Sequence, residues 1–149
     1  MKKKKVLIVV SNYYNDIADG LVKGATEFLD SRKYKKVFVD DGIDVEYLIH
    51  NVPGAFEIPF LINISRKLFD GFIALGCIVR GETYHFEVIS NEVTRKLMDL
   101  SIEIDKPIGF GVLTCENLKQ AYERSDPKKG NKGAEAAKGC ISLMYYSKF

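Results

Sequence analysis

The chain has 149 residues, 46% hydrophobic and 28% charged, which is enough for one full core and too little for two comfortable domains. Its 22 basic and 20 acidic side chains leave a net charge of +2, held largely in the lysines at positions 2–5 and in Lys128, Lys129 and Lys132, so nucleic-acid binding has little electrostatic support. No run approaches the ~20 apolar residues of a membrane span, and the expectation is a single domain over residues 1–149 with neither nucleic acid nor membrane as partner.

After the four lysines, residues 6–10 (VLIVV) predict a first strand. A basic start followed by an apolar run has the outline of a signal peptide, but this run is too short and Ser11 and Asn12 interrupt it; a cytoplasmic protein is expected. Ile17, Leu21, Ala25, Phe28 and Leu29 then recur at helical spacing after Asp16 and mark the inner face of a first helix. A second strand is expected over residues 45–49. Pro59 suits an early helical position, with Leu61, Ile62, Ser65 and Leu68 forming the inner side of a second crossover helix. A third strand follows over residues 72–76, and Phe86, Ile89, Val93, Leu97 and Leu100 mark the buried stripe of a third helix. The fourth strand is expected over residues 108–113. Residues 117–124 and 132–147 supply the last two helices, separated by the exposed turn 125–131. Strands alternating with amphipathic helices predict a three-layer α/β fold, a four-stranded parallel sheet flanked by helices.

In an open sheet of this kind ligands bind beyond the carboxyl ends of the strands. Four segments are therefore expected at one rim: residues 11–15, 51–57, 78–85 and 114–117. The first brings Tyr13 and Tyr14, whose rings suit a flat heterocycle. The second brings Gly54 for close backbone approach and, at Ala55, Phe56 and Glu57, free amides where a helix begins. The third is the most informative. It leaves an apolar strand through Cys77, Ile78 and Val79, passes polar groups, and opens a helix at Thr83. Backbone N–H groups of Glu82, Thr83 and Tyr84 would lack intrahelical partners there; with the Thr83 hydroxyl and Arg80 they form a candidate cradle for phosphate or carboxylate. His85, in the first helical turn, is the candidate proton carrier, and only His50 competes with it. Each feature has a plain structural reading as well: Thr83 as an N-cap, His85 as a surface or interface histidine, the tyrosines as rim of a core, and Pro53-Gly54 as a turn.

Other chemistries find little purchase. Cys77, Cys115 and Cys140 form no C-x-x-C pair, and their odd number fits no disulfide framework, so reduced, buried thiols are expected. Two distant histidines and no carboxylate cluster at ligand spacing leave a metal without an evident home. Gly109 and Gly111 lack the third glycine of a dinucleotide loop, and residues 130–133 lack the Walker spacing and its Lys-Ser/Thr ending.

Taken together and in order, residues 52–59 (VPGAFEIP), 76–85 (GCIVRGETYH), 111–117 (GVLTCEN) and 131–133 (NKG) resemble the motifs of the 6,7-dimethyl-8-ribityllumazine synthase family over most of the chain. The resemblance implies a flavodoxin-like fold and a cofactor-free condensation of 5-amino-6-ribitylaminouracil with 3,4-dihydroxy-2-butanone 4-phosphate, losing phosphate and water, in riboflavin synthesis. It implies that His85 moves protons in Schiff-base formation and phosphate elimination, and that Glu82 and Thr83 hold the phosphate. Arg124 would reach that phosphate from a neighbouring subunit, and Lys132 would lie near the pyrimidine. Tyr13 would stack on the ring, with Gly54, Ala55, Phe56 and Glu57 along the ring and ribityl chain. Cys77, Ile78 and Val79 would floor the pocket, and Phe110 would close it from next door. Glu135 is either the acidic residue that orients the histidine or a solvated helix carboxylate.

Two stretches depart from the family pattern. Residues 33–42 lengthen the link between the first helix and the second strand, as an extra strand or a surface hairpin. The loop 11–15 is one residue longer than its short form, which leaves Tyr13 or Tyr14 as the stacking ring; Tyr13 is chosen on its distance from Val10. The implied assembly is a cyclic pentamer or a pair of pentamers with sites between neighbours, because only residues 1–5 precede the first strand, whereas shell-forming relatives use a longer segment there. The rival reading is a non-catalytic lumazine- or flavin-binding protein on the same fold. A Schiff-base lyase lacks an obvious buried lysine at the rim.

Overall fold

The structure, a computed structural model, describes residues 3–31 and 45–144. Within them β1 (Lys4–Ser11), β2 (Val45–Val52), β3 (Gly71–Val79) and β4 (Ile108–Cys115) form one sheet in the order β2-β1-β3-β4. Every pairing is parallel. The helices are α1 (Asn15–Ser31), α2 (Ile58–Ser65), α3 (His85–Ile104), α4 (Leu118–Ser125) and α5 (Lys132–Met144).

The central strands β1 and β3 owe their continuous apolar runs to burial on both faces. In β1 and β3, alternate side chains enter opposite cores. Val6, Ile8, Val10, Ile73 and Leu75 pack with Leu21 and Ala25 of α1 and Ala137, Cys140 and Ile141 of α5. Leu7, Val9, Phe72 and Ala74 pack with Ile58 and Ile62 of α2 and Val93, Leu97 and Leu100 of α3. Each fully buried Leu, Ile or Phe contributes about 1.5–3 kcal/mol through removal of its surface from water. The result is the expected three-layer arrangement. No helix among the described residues is long and apolar enough to cross a membrane.

Where α5 crosses α1 the helices approach too closely for a side chain. A Cβ on Gly133 would stand 2.0 Å from the carbonyl oxygen of Leu21. The start of α4 is held by side chains: Asn117 Oδ1 accepts the Gln120 N–H at 2.9 Å, and the Gln120 side chain accepts the Glu116 N–H at 2.8 Å. Asn117→Ala is therefore expected to cost about 1 kcal/mol, seen as a lower denaturation midpoint; an unchanged midpoint would show that the cap contributes nothing.

Some expectations need correction. All four strands run one to three residues further toward their carboxyl ends than the apolar runs alone predict, because ladder bonds continue into residues such as Asn51 and Val52 that pair with Val10 and Ser11. Leu68 is 70% exposed and lies beyond the end of α2, so it is not part of that helix's inner side. The final helix is described to Met144; residues 33–42 and the last turn expected to 147 fall outside the described residues.

Candidate active site

The strand order reverses direction about β1. From β1 the chain passes through α1 on one face to reach β2, then through α2 on the other face to reach β3. The loops leaving β1 and β3 therefore diverge, and a crevice opens at the carboxyl ends of those strands. A cavity of about 580 Å³ fills it, within the size range of small-molecule sites.

Three of the four expected rim segments form its walls. Tyr13 and Tyr14 follow β1, residues 53–57 follow β2, and Cys77, Ile78 and Val79 end β3, with His85 and Ile89 of α3 completing the wall. The two tyrosine rings meet edge to face, 5.0 Å apart, and Tyr13 is 72% exposed, open to a ligand on its free face. Tyr14 packs partly into the core, and that burial, with Tyr13 second, pushes its hydroxyl pKa above the ordinary value. Gly54 has extended backbone, φ −150 and ψ 172, and a Cβ there would meet only the Glu57 carboxylate at 3.8 Å. The glycine leaves room on the ligand side and is not required by its own conformation. The 3₁₀ turn Ala55–Glu57 leads directly into α2, where Pro59 takes the expected early position.

The β3–α3 connection differs from its expected form. The helix begins at His85, not Thr83, and Thr83 does not cap it as an N-cap residue would. Its Oγ1 instead accepts the His85 N–H at 3.3 Å, which leaves the hydroxyl proton able to donate outward. The amides of residues 81–84 have no acceptor among the described residues, so Glu82 and Thr83 sit in a run of open donors immediately before His85. His85 is exposed at the cavity wall. His50, exposed on the edge strand β2, does not line the cavity.

Arg80 is not the free anion donor that the loop sequence suggests. Its Nε donates to Glu116 Oε2 at 2.6 Å, its Nη1 donates to Glu87, and its guanidinium carbon lies 4.5 Å from the centre of the Phe86 ring. The hydrogen bond from Arg80 holds the Glu87 carboxyl below the usual carboxylate range. The fourth rim segment, residues 114–117, does not reach the cavity; it meets the loop through this contact and through the Arg80 N–H, which donates to the Cys115 carbonyl at 2.9 Å.

All three cysteines are buried and unpaired, and burial pushes Cys77 up to about 12. Such a thiol is no nucleophile at neutral pH; Cys77 contributes shape.

Phe110, Arg124 and Lys132 do not line the cavity of their own chain. Phe110 is 47% exposed on β4. Arg124 and Lys132 share a separate open recess with Glu123, Lys129 and Gly130. Glu135 lies on the same helix turn and pairs with Lys132 at 2.9 Å, not with His85. Sequence reasoning placed Pro53 at the rim within residues 51–57 but missed Ile89 as a wall residue and the Arg80–Glu87–Glu116 cluster. Ile89 had the signal of helical spacing from His85; the cluster had none, since Glu116 is 36 positions from Arg80.

Comparison with known proteins agrees with the geometry. A family model described as 6,7-dimethyl-8-ribityllumazine synthase matches residues 3–148. A protein of that name from Bartonella henselae is 41% identical over 151 residues, covering 99% of this chain and 90% of its own. Its namesake from Agrobacterium fabrum is 41% identical, with 96% of both chains covered. One from Kosmotoga olearia is 40% identical over 93% of this chain and 85% of its own. With motifs, sheet order and rim cavity all in agreement, the chain belongs to the 6,7-dimethyl-8-ribityllumazine synthase family.

Proposed function

We propose that this protein condenses 5-amino-6-ribitylaminouracil with 3,4-dihydroxy-2-butanone 4-phosphate to give 6,7-dimethyl-8-ribityllumazine, phosphate and water, the penultimate step of riboflavin synthesis. The observation that carries the reading is the juxtaposition, in one crevice, of an exposed aromatic ring and an imidazole, with a loop of unpaired amides immediately before that imidazole in the chain. The flat pyrimidine stacks on Tyr13, with its ribityl chain along residues 54–57 and Cys77, Ile78 and Val79 beneath it. The phosphate rests on the amides of Glu82 and Thr83 and on the Thr83 hydroxyl. Substrate amine attacks the ketone and water leaves as the C=N bond forms; the C–O bond to phosphate then breaks with loss of a proton from carbon, and the ribityl-bearing nitrogen closes the ring on the carbonyl that results, releasing a second water. His85 relays those protons. Because the nucleophile is already present on the substrate, orientation supplies much of the acceleration.

The working unit in this proposal is a cytoplasmic cyclic pentamer, alone or paired with a second, each chain acting as one domain. Phe110, Arg124 and Lys132 serve the site of a neighbour, which accounts for their absence from the cavity walls of their own chain. The exposed apolar side chains of Phe56, Phe60, Ile64, Met98 and Ile102 favour such packing.

Absorbance-monitored lumazine formation from the two substrates, measured above the spontaneous background, tests the reaction. A protein that binds the lumazine and adds nothing to the background rate would instead be a binding protein. A mixing experiment tests the assembly. His85→Ala and Arg124→Ala chains are each expected to be poorly active, and co-refolded in equal amounts they should recover about a quarter of wild-type sites, the fraction in which both intact residues meet across an interface. No recovery on mixing would place each site within one chain.

A further inference from the structure

We propose that Arg80 is a positioning residue that shapes the anion-binding loop of residues 81–84 by tying its two ends together, and that it is not itself a ligand of the phosphate. The inference rests on the proposed function only for the identity of the anion as the phosphate of the second substrate. Its basis is the connectivity of one side chain. Arg80 directly follows the end of β3, where its N–H donates to the Cys115 carbonyl at 2.9 Å. Its guanidinium then reaches across the loop to Glu87 in the first turn of α3, and sideways to Glu116 at the end of β4 at 2.6 Å, lying over Phe86. Start of loop, start of helix and end of the neighbouring strand are thereby joined at one planar fork. Within the loop the recorded side-chain bond is the single contact of Thr83 with His85, so little else among the described residues sets the direction of its amides.

The charge balance points the same way. One guanidinium faces two carboxylates and has no surplus positive charge for an incoming anion. The second oxygen of Glu87 is shielded from solvent with no hydrogen-bond partner among the described residues. Without Arg80, this carboxylate would stand uncompensated in the helix turn that receives the phosphate, and it would have to swing outward, carrying the turn with it. A lysine cannot replace the fork, because a compact ammonium does not span two carboxylates while stacking on a ring.

Steady-state kinetics with each substrate varied in turn, together with calorimetric titration of inorganic phosphate, tests the role. Arg80→Gln should raise KM for the phosphorylated dihydroxybutanone by roughly tenfold or more while KM for the pyrimidine stays within about twofold, the pattern of local misplacement. Phosphate binding should weaken in parallel, and Arg80→Lys should recover only part of either loss. Glu87→Gln decides between positioning and direct contact: it removes a negative charge and frees a guanidinium nitrogen, so a phosphate ligand at Arg80 would bind more tightly, whereas a positioning residue deprived of its anchor leaves phosphate bound more weakly. Tighter phosphate binding by Glu87→Gln, an equal rise in both KM values for Arg80→Gln, or unchanged kinetics would each overturn the proposal. A wild-type protein that binds phosphate, loses that binding in Arg80→Gln and yet forms no lumazine would support the role of Arg80 and refute the proposed reaction.

Discussion

Gly133→Ala is expected to lower stability by about 3 kcal/mol or more, although the same exchange in a helix ordinarily stabilises by about 0.5–1 kcal/mol. The added Cβ would lie 2.0 Å from the Leu21 carbonyl oxygen, 2.8 Å from its carbon and 3.0 Å from its Cα. All three are backbone atoms, so no rotamer change relieves the overlap. The helices α1 and α5 would have to separate, and Leu21, Ala25 and Ala137, each fully buried, would lose their close packing. Gly139 on the same helix is the control, since a Cβ there meets nothing within 4 Å. Gly139→Ala should be neutral or stabilising by up to about 1 kcal/mol. The denaturation midpoint should therefore fall for Gly133→Ala and stay level or rise for Gly139→Ala. Equal midpoints would mean that the helix crossing is looser than described and that Gly133 is tolerated for another reason.

His85→Ala should reduce kcat by about ten- to a hundredfold, at or below the low end of the ~10²–10⁴ that a positioned acid–base group contributes. The loss is limited because the attacking amine belongs to the substrate and the stacking, polyol and phosphate contacts remain in place to orient it. KM for both substrates should change by less than about threefold, since a group that acts on protons in the transition state contributes little to ground-state binding. The two variants thus separate cleanly: Arg80→Gln acts on one KM, His85→Ala on kcat. If His85→Ala retained wild-type kcat, another group or solvent would be moving the protons, and the exposed position of His85 at the cavity wall would be read as part of a subunit contact.

Much of the fold was legible in the residues because burial on both faces of a parallel sheet leaves a plain trace. The runs at residues 6–10 and 72–76 are continuously apolar, and the stripes from Ile17 to Leu29 and from Ile89 to Leu100 turn with helical period; every one of these segments reaches a core. The walls of the cavity followed from topology, since strand ends in such a sheet share one rim, so Tyr13, Ala55, Ile78 and His85 could be grouped without coordinates. The start of α3 could not. Thr83 has the chemistry of a cap, yet its hydroxyl bonds to the His85 N–H two positions on, a local choice between two near-equal hydrogen-bonded turns that side-chain identity does not decide.

By itself, the order of residues determined the class of fold, the rim that receives the ligand and the family, because periodicity and short motifs are local properties written along the chain. Only the tertiary structure decided what Arg80 does and which glycine cannot be changed. Glu116 lies 36 positions from Arg80, and Leu21 lies on a different helix from Gly133. Contacts between residues far apart in the chain depend on how sheet and helices pack, and a guanidinium that reads as a free cation in sequence becomes a brace once folding sets two carboxylates beside it.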